Sequence, residues 1–353
     1  MQESRYTIID KASFRPDKIV FYKQFVKNFT PGEHEKVKLD PEAKIFLESI
    51  RVITKRQPLS NKHEFEISKK ASSRIKEKVN WLYTLSKSKT INLENGKKLH
   101  AFKMNFITLS LPAIQRHTTN EITSICLNQF LTECKKRFNL VNYVWRLEFQ
   151  KNGNVHYHIA TDCFIEFWKC RTIWNRCLGK LGYIEDYTNK FRFMTFLDYR
   201  NLPSNKNEKD FDKLQKRYSL GCAQRWMNPN TVDIRAVNNS KSIAFYISKY
   251  ITKPSEHSLN AIVLEREPKE TNLRLWFCSR SLSALDKIEI FLEEYNEKFH
   301  NIMCNIVNTK NYIFDYCSIK YFNYKEQTFT CKAWLWRLYN EYAKERGYCP
   351  NLC

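Results

Sequence analysis

The stretch Val141–Phe164 reads VNYVWRLEFQ, then KNGN, then VHYHIATDCF. Two runs rich in β-branched and aromatic residues flank a cluster of turn formers, which is the pattern of a β-hairpin closed at Lys151-Asn152-Gly153-Asn154. Side chains on a strand alternate between its faces, so His156 and His158 project from the same face. Glu148 stands on the preceding strand, and its side depends on the loop. A three-residue loop of Lys151, Asn152 and Gly153, with Gly153 left-handed as a G1 bulge, sets residue 148 opposite 156 and gathers the carboxylate with both imidazoles. A two-residue Asn-Gly turn sends Glu148 to the opposite face. Two nitrogens and one carboxylate oxygen leave positions open on a divalent cation, an arrangement suited to gripping a phosphate. The competing reading is that both histidines are ordinary half-buried strand residues.

Outward from the hairpin, AFKMNFITLSLP (residues 101–112) is a strand stopped by Pro112. A helix is expected from Thr119, with Ile122, Ile125, Leu127, Phe130, Leu131 and Phe138 along its buried side. An amphipathic helix follows over roughly Glu166–Leu181, and the polar segment Asn201–Lys216 reads as a surface excursion. TVDIRAV (231–237) is a short strand. SKSIAFYISKYITKP (240–254) is a helix ended by Pro254. Beyond about Ser255 a strand and then helices are expected, ending in KAWLWRLYNEYAKERGY.

On the helix of residues 240–254, Tyr246, Lys249, Tyr250 and Lys253 project within roughly 100 degrees of arc. Ile243, Ile247 and Ile251 occupy an adjoining side that can pack on a sheet. A tyrosine hydroxyl can attack phosphorus and keep the energy of the broken phosphodiester in a covalent ester, and a neighbouring ammonium favours its ionisation. Lysine also steadies the charge of a five-coordinate phosphate. The alternative is plain amphipathic packing with solvated lysines. Either pair taken singly admits a structural role; together they specify a reaction.

Composition narrows the partners. The chain of 353 residues holds 59 Lys and Arg against 37 Asp and Glu, a formal charge of +22. Such a field favours polyanions, with nucleic acid first among them. No stretch is continuously apolar for the length a spanning helix needs, and MQESRYTIID lacks the pattern of a signal peptide, so a cytoplasmic protein without a membrane partner is expected. The 12 cysteines are scattered with no Cys-x-x-Cys, which fits reduced thiols better than disulfides or zinc. Cys163, Cys170 and Cys177 recur every seventh residue and read as small apolar fillers of one helical stripe. Two aromatic or basic runs outside the core are alternative DNA contacts or simple helix faces: Lys69, Lys70, Arg74, Lys76 and Lys78, and the C-terminal Trp334, Trp336, Arg337, Tyr339 and Tyr342. The domain organisation expected is a basic N-terminal extension over 1–100, a catalytic domain over 101–260 and a mainly helical region over 261–353.

NVHYHI, NFITLS before it and YISKYITK after it resemble the motifs of the HUH endonucleases, and their order resembles that of the two-tyrosine replication initiators of small single-stranded DNA phages of the microvirus kind. The resemblance spans roughly residues 101–282. It implies an α+β fold, a central antiparallel sheet with flanking helices and mostly helical additions, and Mg²⁺ or Mn²⁺ held by His156 and His158 with Glu148 as third ligand. It implies that one of Tyr246 and Tyr250 cuts single-stranded origin DNA and keeps the 5′ phosphate, freeing a 3′ hydroxyl for the host DNA polymerase, while the other cuts the regenerated origin. No Gly-x-x-x-x-Gly-Lys-Ser/Thr occurs, so unwinding is expected to fall to a host helicase. Two other readings remain open: a non-catalytic nucleic-acid-binding protein, and a plasmid Rep or transposase with the same nicking chemistry.

Overall fold

The structure, a computed structural model, describes residues 6–27, 67–92, 96, 98–237, 261–267, 273–291, 305–315 and 317–350. Its strands are β1 (Tyr6–Arg15), β2 (Lys18–Lys27), β3 (Lys89–Asn92), β4 (Lys98–Phe102), β5 (Met104–Leu109), β6 (Tyr143–Phe149), β7 (Val155–Thr161), β8 (Val232–Val237), β9 (Trp276–Cys278), β10 (Ile288–Phe291), β11 (Lys310–Ile313) and β12 (Cys317–Tyr321). The chain divides into two compact units, one of residues 63–282 with 350–353, the other of residues 1–62 with 283–349. Each is built on a five-stranded antiparallel sheet, so the fold is α+β.

In the first unit the strand order is β8-β5-β7-β6-β9, with β3 and β4 as a separate pair. Alternation along the strands decides the core. Ile107 and Leu109 of β5, Leu147 and Phe149 of β6, and Val155, Tyr157 and Ile159 of β7 point to one side and are buried there. The helices Asn128–Phe138 and Phe167–Gly179 cover that side through Phe130, Leu131, Ile173 and Trp174. Each large apolar side chain buried there contributes about 1.5–3 kcal/mol of transfer free energy. The polar atoms within the layer are satisfied: the Tyr157 hydroxyl pairs with Thr123 Oγ1 at 2.8 Å, and Trp174 Nε1 donates to Ser110 O at 2.9 Å.

The helix expected from Thr119 begins there behind a capping box, in which Thr118 and Glu121 satisfy each other's backbone N–H groups. It differs from expectation one turn later. Residues Ile122–Leu127 form a π-helical turn before the α-helix resumes at Asn128. The wider turn changes the phase of the buried stripe, so that Cys126 is buried and Ile125 is 39% exposed. Ile125 therefore does not belong to the buried side on which the sequence placed it.

Cys163, Cys170 and Cys177 are buried free thiols in this core together with Cys126 and Cys134. Cys163 precedes the helix that carries the other two. Burial pushes the thiols of Cys126 and Cys177 up to about 12 and about 11, so they pack as neutral groups. The polar excursion after the Phe167–Gly179 helix is itself structured. Helices Tyr183–Phe191, Phe196–Asn201 and Phe211–Ala223 close around Phe191, Tyr199, Leu214 and Trp226 as a small aromatic cluster.

The second unit has strand order β10-β1-β2-β12-β11. β1 and β2 form a long hairpin around Pro16-Asp17, and β12 pairs with β2 from the far end of the chain. Ala12, Phe14 and Ile19 are buried, and the helix Phe329–Glu345 lies on their side, with Trp334 edge-on to Phe14 at 5.8 Å. Tyr339 is fully buried and donates to Arg15 O at 2.8 Å, and Tyr342 is buried as well, so these two tyrosines pack rather than face solvent. The basic run at Lys69–Lys78 lies on the helix Lys69–Leu85, with Lys69, Lys70, Arg74 and Lys76 exposed. Among the described residues no helix is long and apolar enough to cross a membrane.

Candidate active site

The geometry of the site starts from its turn. Gln150 N donates to Asn154 O at 2.9 Å, Gly153 N donates to Gln150 O at 2.9 Å, and Gly153 has φ +78°. This is the three-residue loop with a left-handed glycine. A Cβ on Gly153 would stand 3.1 Å from Ile262 Cγ2, so the position is tight as well as left-handed. Asn154 and its neighbour clamp the turn to the loop after β5: Gln115 N donates to Asn154 Oδ1 at 2.8 Å, Asn154 Nδ2 to Ala113 O at 2.8 Å, and Val155 N to Gln115 Oε1 at 2.8 Å.

The register that follows pairs Glu148 with His156 and Arg146 with His158. Glu148, His156 and His158 therefore share the sheet face turned away from the helical layer. His158 is buried and engaged at both ring nitrogens, Nε2 with Glu148 Oε2 at 3.0 Å and Nδ1 with Thr108 Oγ1 at 3.2 Å. The rings of His156 and His158 stand edge to face with centroids 6.0 Å apart.

Charge states follow from burial and neighbours. Burial lowers the His156 imidazole to about 4, with the adjacent His158 lowering it further and Glu148 opposing, so the ring is neutral at physiological pH. Burial works to raise the Glu148 carboxyl, but the hydrogen bond from His158 and the charges of His158, Arg146 and His156 outweigh it, leaving the group below its ordinary value and ionised. Arg146 is lowered by burial, with Glu148 acting against that shift.

The donor set suits a hard or borderline divalent ion in kind, since it offers neutral imidazoles and an ionised carboxylate. It suits one in spacing at two positions. Adjacent ligands on an octahedral ion with bonds of about 2.1 Å lie about 3.0 Å apart, the separation observed between His158 Nε2 and Glu148 Oε2. As the side chains stand, these two groups are hydrogen-bonded to each other. No group of three or more His, Cys, Asp or Glu side chains among the described residues is arranged to hold a metal ion.

Four residues of this face carry no mark in the sequence motifs. Arg146 shares its parity with Glu148, a period-two signal legible on the strand itself. Thr108 and Asp233 face each other across β5 and β8, and Thr108 faces His158 across β5 and β7. Asp233 pairs with Arg235 at 3.1 Å. Tyr246, Lys249, Tyr250 and Lys253 lie outside the described residues. The chain is described again from Ala261, and there it is fastened to the hairpin turn. Arg266 Nη2 donates to Gly153 O at 3.0 Å, and Val263 is part of the sheet core. Glu267 accepts from Thr119 N at 3.0 Å and from Thr119 Oγ1 at 2.6 Å.

Residues 104–255 match the family model of the replication-associated protein ORF2. No curated protein and no solved structure matches the chain. The sheet strands β5–β8, the hairpin that carries Glu148, His156 and His158, and the positions of both paired tyrosines all fall within that match, and this segment of the chain belongs to the ORF2 family of replication-associated proteins.

Proposed function

We propose that the protein is a replication initiator that nicks and rejoins single-stranded origin DNA through a phosphotyrosine intermediate. The observation that carries this reading is the register of β6 and β7, which brings Glu148 opposite His156 and within hydrogen-bond reach of His158 on the open face of the sheet. His156, His158 and Glu148 would hold Mg²⁺ or Mn²⁺, which when bound supplies a Lewis acid to polarise the scissile phosphate. The protein's part is to keep both imidazoles neutral by burial and the carboxylate ionised. The Thr108 hydroxyl both donates and accepts, so it can stabilise the His158 tautomer that leaves Nε2 free as a ligand.

Tyr246 or Tyr250 would attack phosphorus with its phenolic oxygen. The bond to the 3′ oxygen breaks, that oxygen leaves as a hydroxyl after taking a proton, and the 5′ phosphate remains esterified to the tyrosine. Lys249 and Lys253 favour the phenolate and the charged phosphate. The free 3′ hydroxyl primes a host DNA polymerase behind a host helicase. The second tyrosine then cuts the regenerated origin so that the circle is resealed. The cytoplasm of a bacterial host is the compartment this role requires.

Incubation with labelled single-stranded origin DNA and Mn²⁺ should give a covalent adduct that survives denaturation. Tyr246→Phe with Tyr250→Phe should abolish it, and His156→Ala with His158→Ala should abolish it while leaving salt-dependent binding. An adduct that persists without both tyrosines refutes the mechanism. The direct hydrogen bond between Glu148 and His158 favours a second reading, a binding protein in which the pair is structural. In that case wild type forms no adduct under any divalent cation and the histidine variant loses its fold. A plasmid Rep or transposase would share the chemistry and differ in the DNA sequence cut.

A further inference from the structure

The unit of residues 1–62 and 283–349 has a sheet face that the nicking reaction does not use. The helix Phe329–Glu345 covers the side that carries Ala12, Phe14 and Ile19. The strand registers put Tyr22, Phe291, Tyr312 and Tyr321 on the opposite side, with Lys11, Lys18 and Lys310 between them. Phe291, Tyr312 and Tyr321 are 41%, 51% and 36% exposed, which is unusual for three large rings on one side of a sheet.

The rings and ammonium groups are interleaved. Lys11 Nζ stands 4.5 Å over the Phe291 ring, Lys18 Nζ 5.5 Å over Tyr321, and Lys287 Nζ 5.5 Å over Tyr22. Tyr312 and Tyr321 meet edge to face at 5.8 Å and, with Lys310, Phe314 and Ile319, line a shallow concavity at the β11–β12 edge. Glu289, the acidic residue on this side of β10, is engaged by the Tyr22 hydroxyl and by Lys287. The outward character of the face is therefore aromatic and positive.

We propose that this face binds single-stranded DNA with little sequence preference, bases stacking on Tyr312, Tyr321 and Phe291 while Lys11, Lys18 and Lys310 meet the phosphates. Every base has a π face, so stacking on exposed rings is tolerant of sequence, and the lysines follow the backbone. Duplex DNA hides its base faces and gains only the lysine contacts. The site is separate from the histidine hairpin and needs no metal, so its failure and the failure of the nicking reaction are distinguishable.

The test uses the full chain in EDTA, which removes any metal-dependent cleavage, and fluorescence anisotropy of labelled oligothymidylate of about 16 nucleotides. Tyr312→Ala with Tyr321→Ala should weaken binding about tenfold or more, on oligodeoxyadenylate as on oligothymidylate. Tyr312→Phe with Tyr321→Phe keeps the rings and should bind within about twofold of wild type. Unchanged affinity in the alanine variant overturns the proposal, as does equal weakening by the phenylalanine variant. Loss of binding to phosphatidylserine vesicles with unchanged oligonucleotide affinity overturns it in favour of a lipid surface. If the alanine variant melts prematurely, photocrosslinking of wild type to iodouracil-substituted oligonucleotide decides: adducts at Tyr312, Tyr321 or Phe291 support the site, and adducts confined to other regions refute it.

Discussion

Replacing Glu267 by alanine is the sharpest test of how the chain is fastened after the segment that carries Tyr246 and Tyr250. The Glu267 side chain is fully buried and that of Arg266 is 9% exposed, their Oε1 and Nε 3.1 Å apart. Glu267 also accepts from the backbone and hydroxyl of Thr119, itself fully buried at the start of its helix. Glu267→Ala thus strands a buried N–H, at about 1–3 kcal/mol, and leaves Arg266 without its buried carboxylate. Loss of one partner of a buried ion pair costs about 3–5 kcal/mol in all, because the surviving charge has already lost its water. With a urea dependence of about 2 kcal/mol per molar, the midpoint of unfolding should fall by about 1.5–2.5 M. Tryptophan fluorescence reports it, since Trp145 and Trp174 lie in the same core. Removing both charges by Arg266→Met with Glu267→Leu should cost less than the single change. A midpoint for Glu267→Ala within about 0.3 M of wild type, which corresponds to the ordinary spread of surface substitutions, would refute the argument.

Three further outcomes follow from the geometry. Thr108→Val removes the hydroxyl at His158 Nδ1 and should weaken Mn²⁺ affinity about 10–100-fold, measured by calorimetry, with the fold retained. Glu121 is held below its ordinary 4.5 by hydrogen bonds from the Thr118 hydroxyl and backbone N–H. Its stabilising contribution is therefore complete above that value and is lost as pH falls through the lower folded-state value, so wild type and Glu121→Gln should differ in melting temperature at pH 7 and converge in acid. Ile122→Ala should cost about 2–5 kcal/mol, whereas Ile125→Ser should stay within about 0.5 kcal/mol, in denaturant titrations; equal losses would contradict the π-helical turn.

The features legible in the sequence are those encoded locally. Strand parity gathers His156 and His158, and turn chemistry at Lys151-Asn152-Gly153 carries Glu148 to their side, because both depend on a few adjacent residues. Arg146 is within reach of the same parity, though an arginine beside a carboxylate on a strand signals no particular chemistry. Thr108 is not within reach, since its place at His158 depends on the register between β5 and β7. The outward turn of Ile125 depends on a change of helical pitch that leaves no mark in the apolar pattern. The pairing of β2 with β12 joins segments nearly three hundred residues apart, and short strands such as Cys317–Tyr321 have too little periodicity to announce such a partner.

The hairpin loop also sets a rule for how this sequence can drift. Substitutions at Lys151 or Asn152 leave the count of loop residues intact, but one inserted or deleted residue exchanges the two faces of β7 relative to β6. A descendant with such an indel would keep every histidine and glutamate of the motif and have no shared site. Loop length modulo two, more than residue identity, is the inherited quantity here, and relatives are best compared by it.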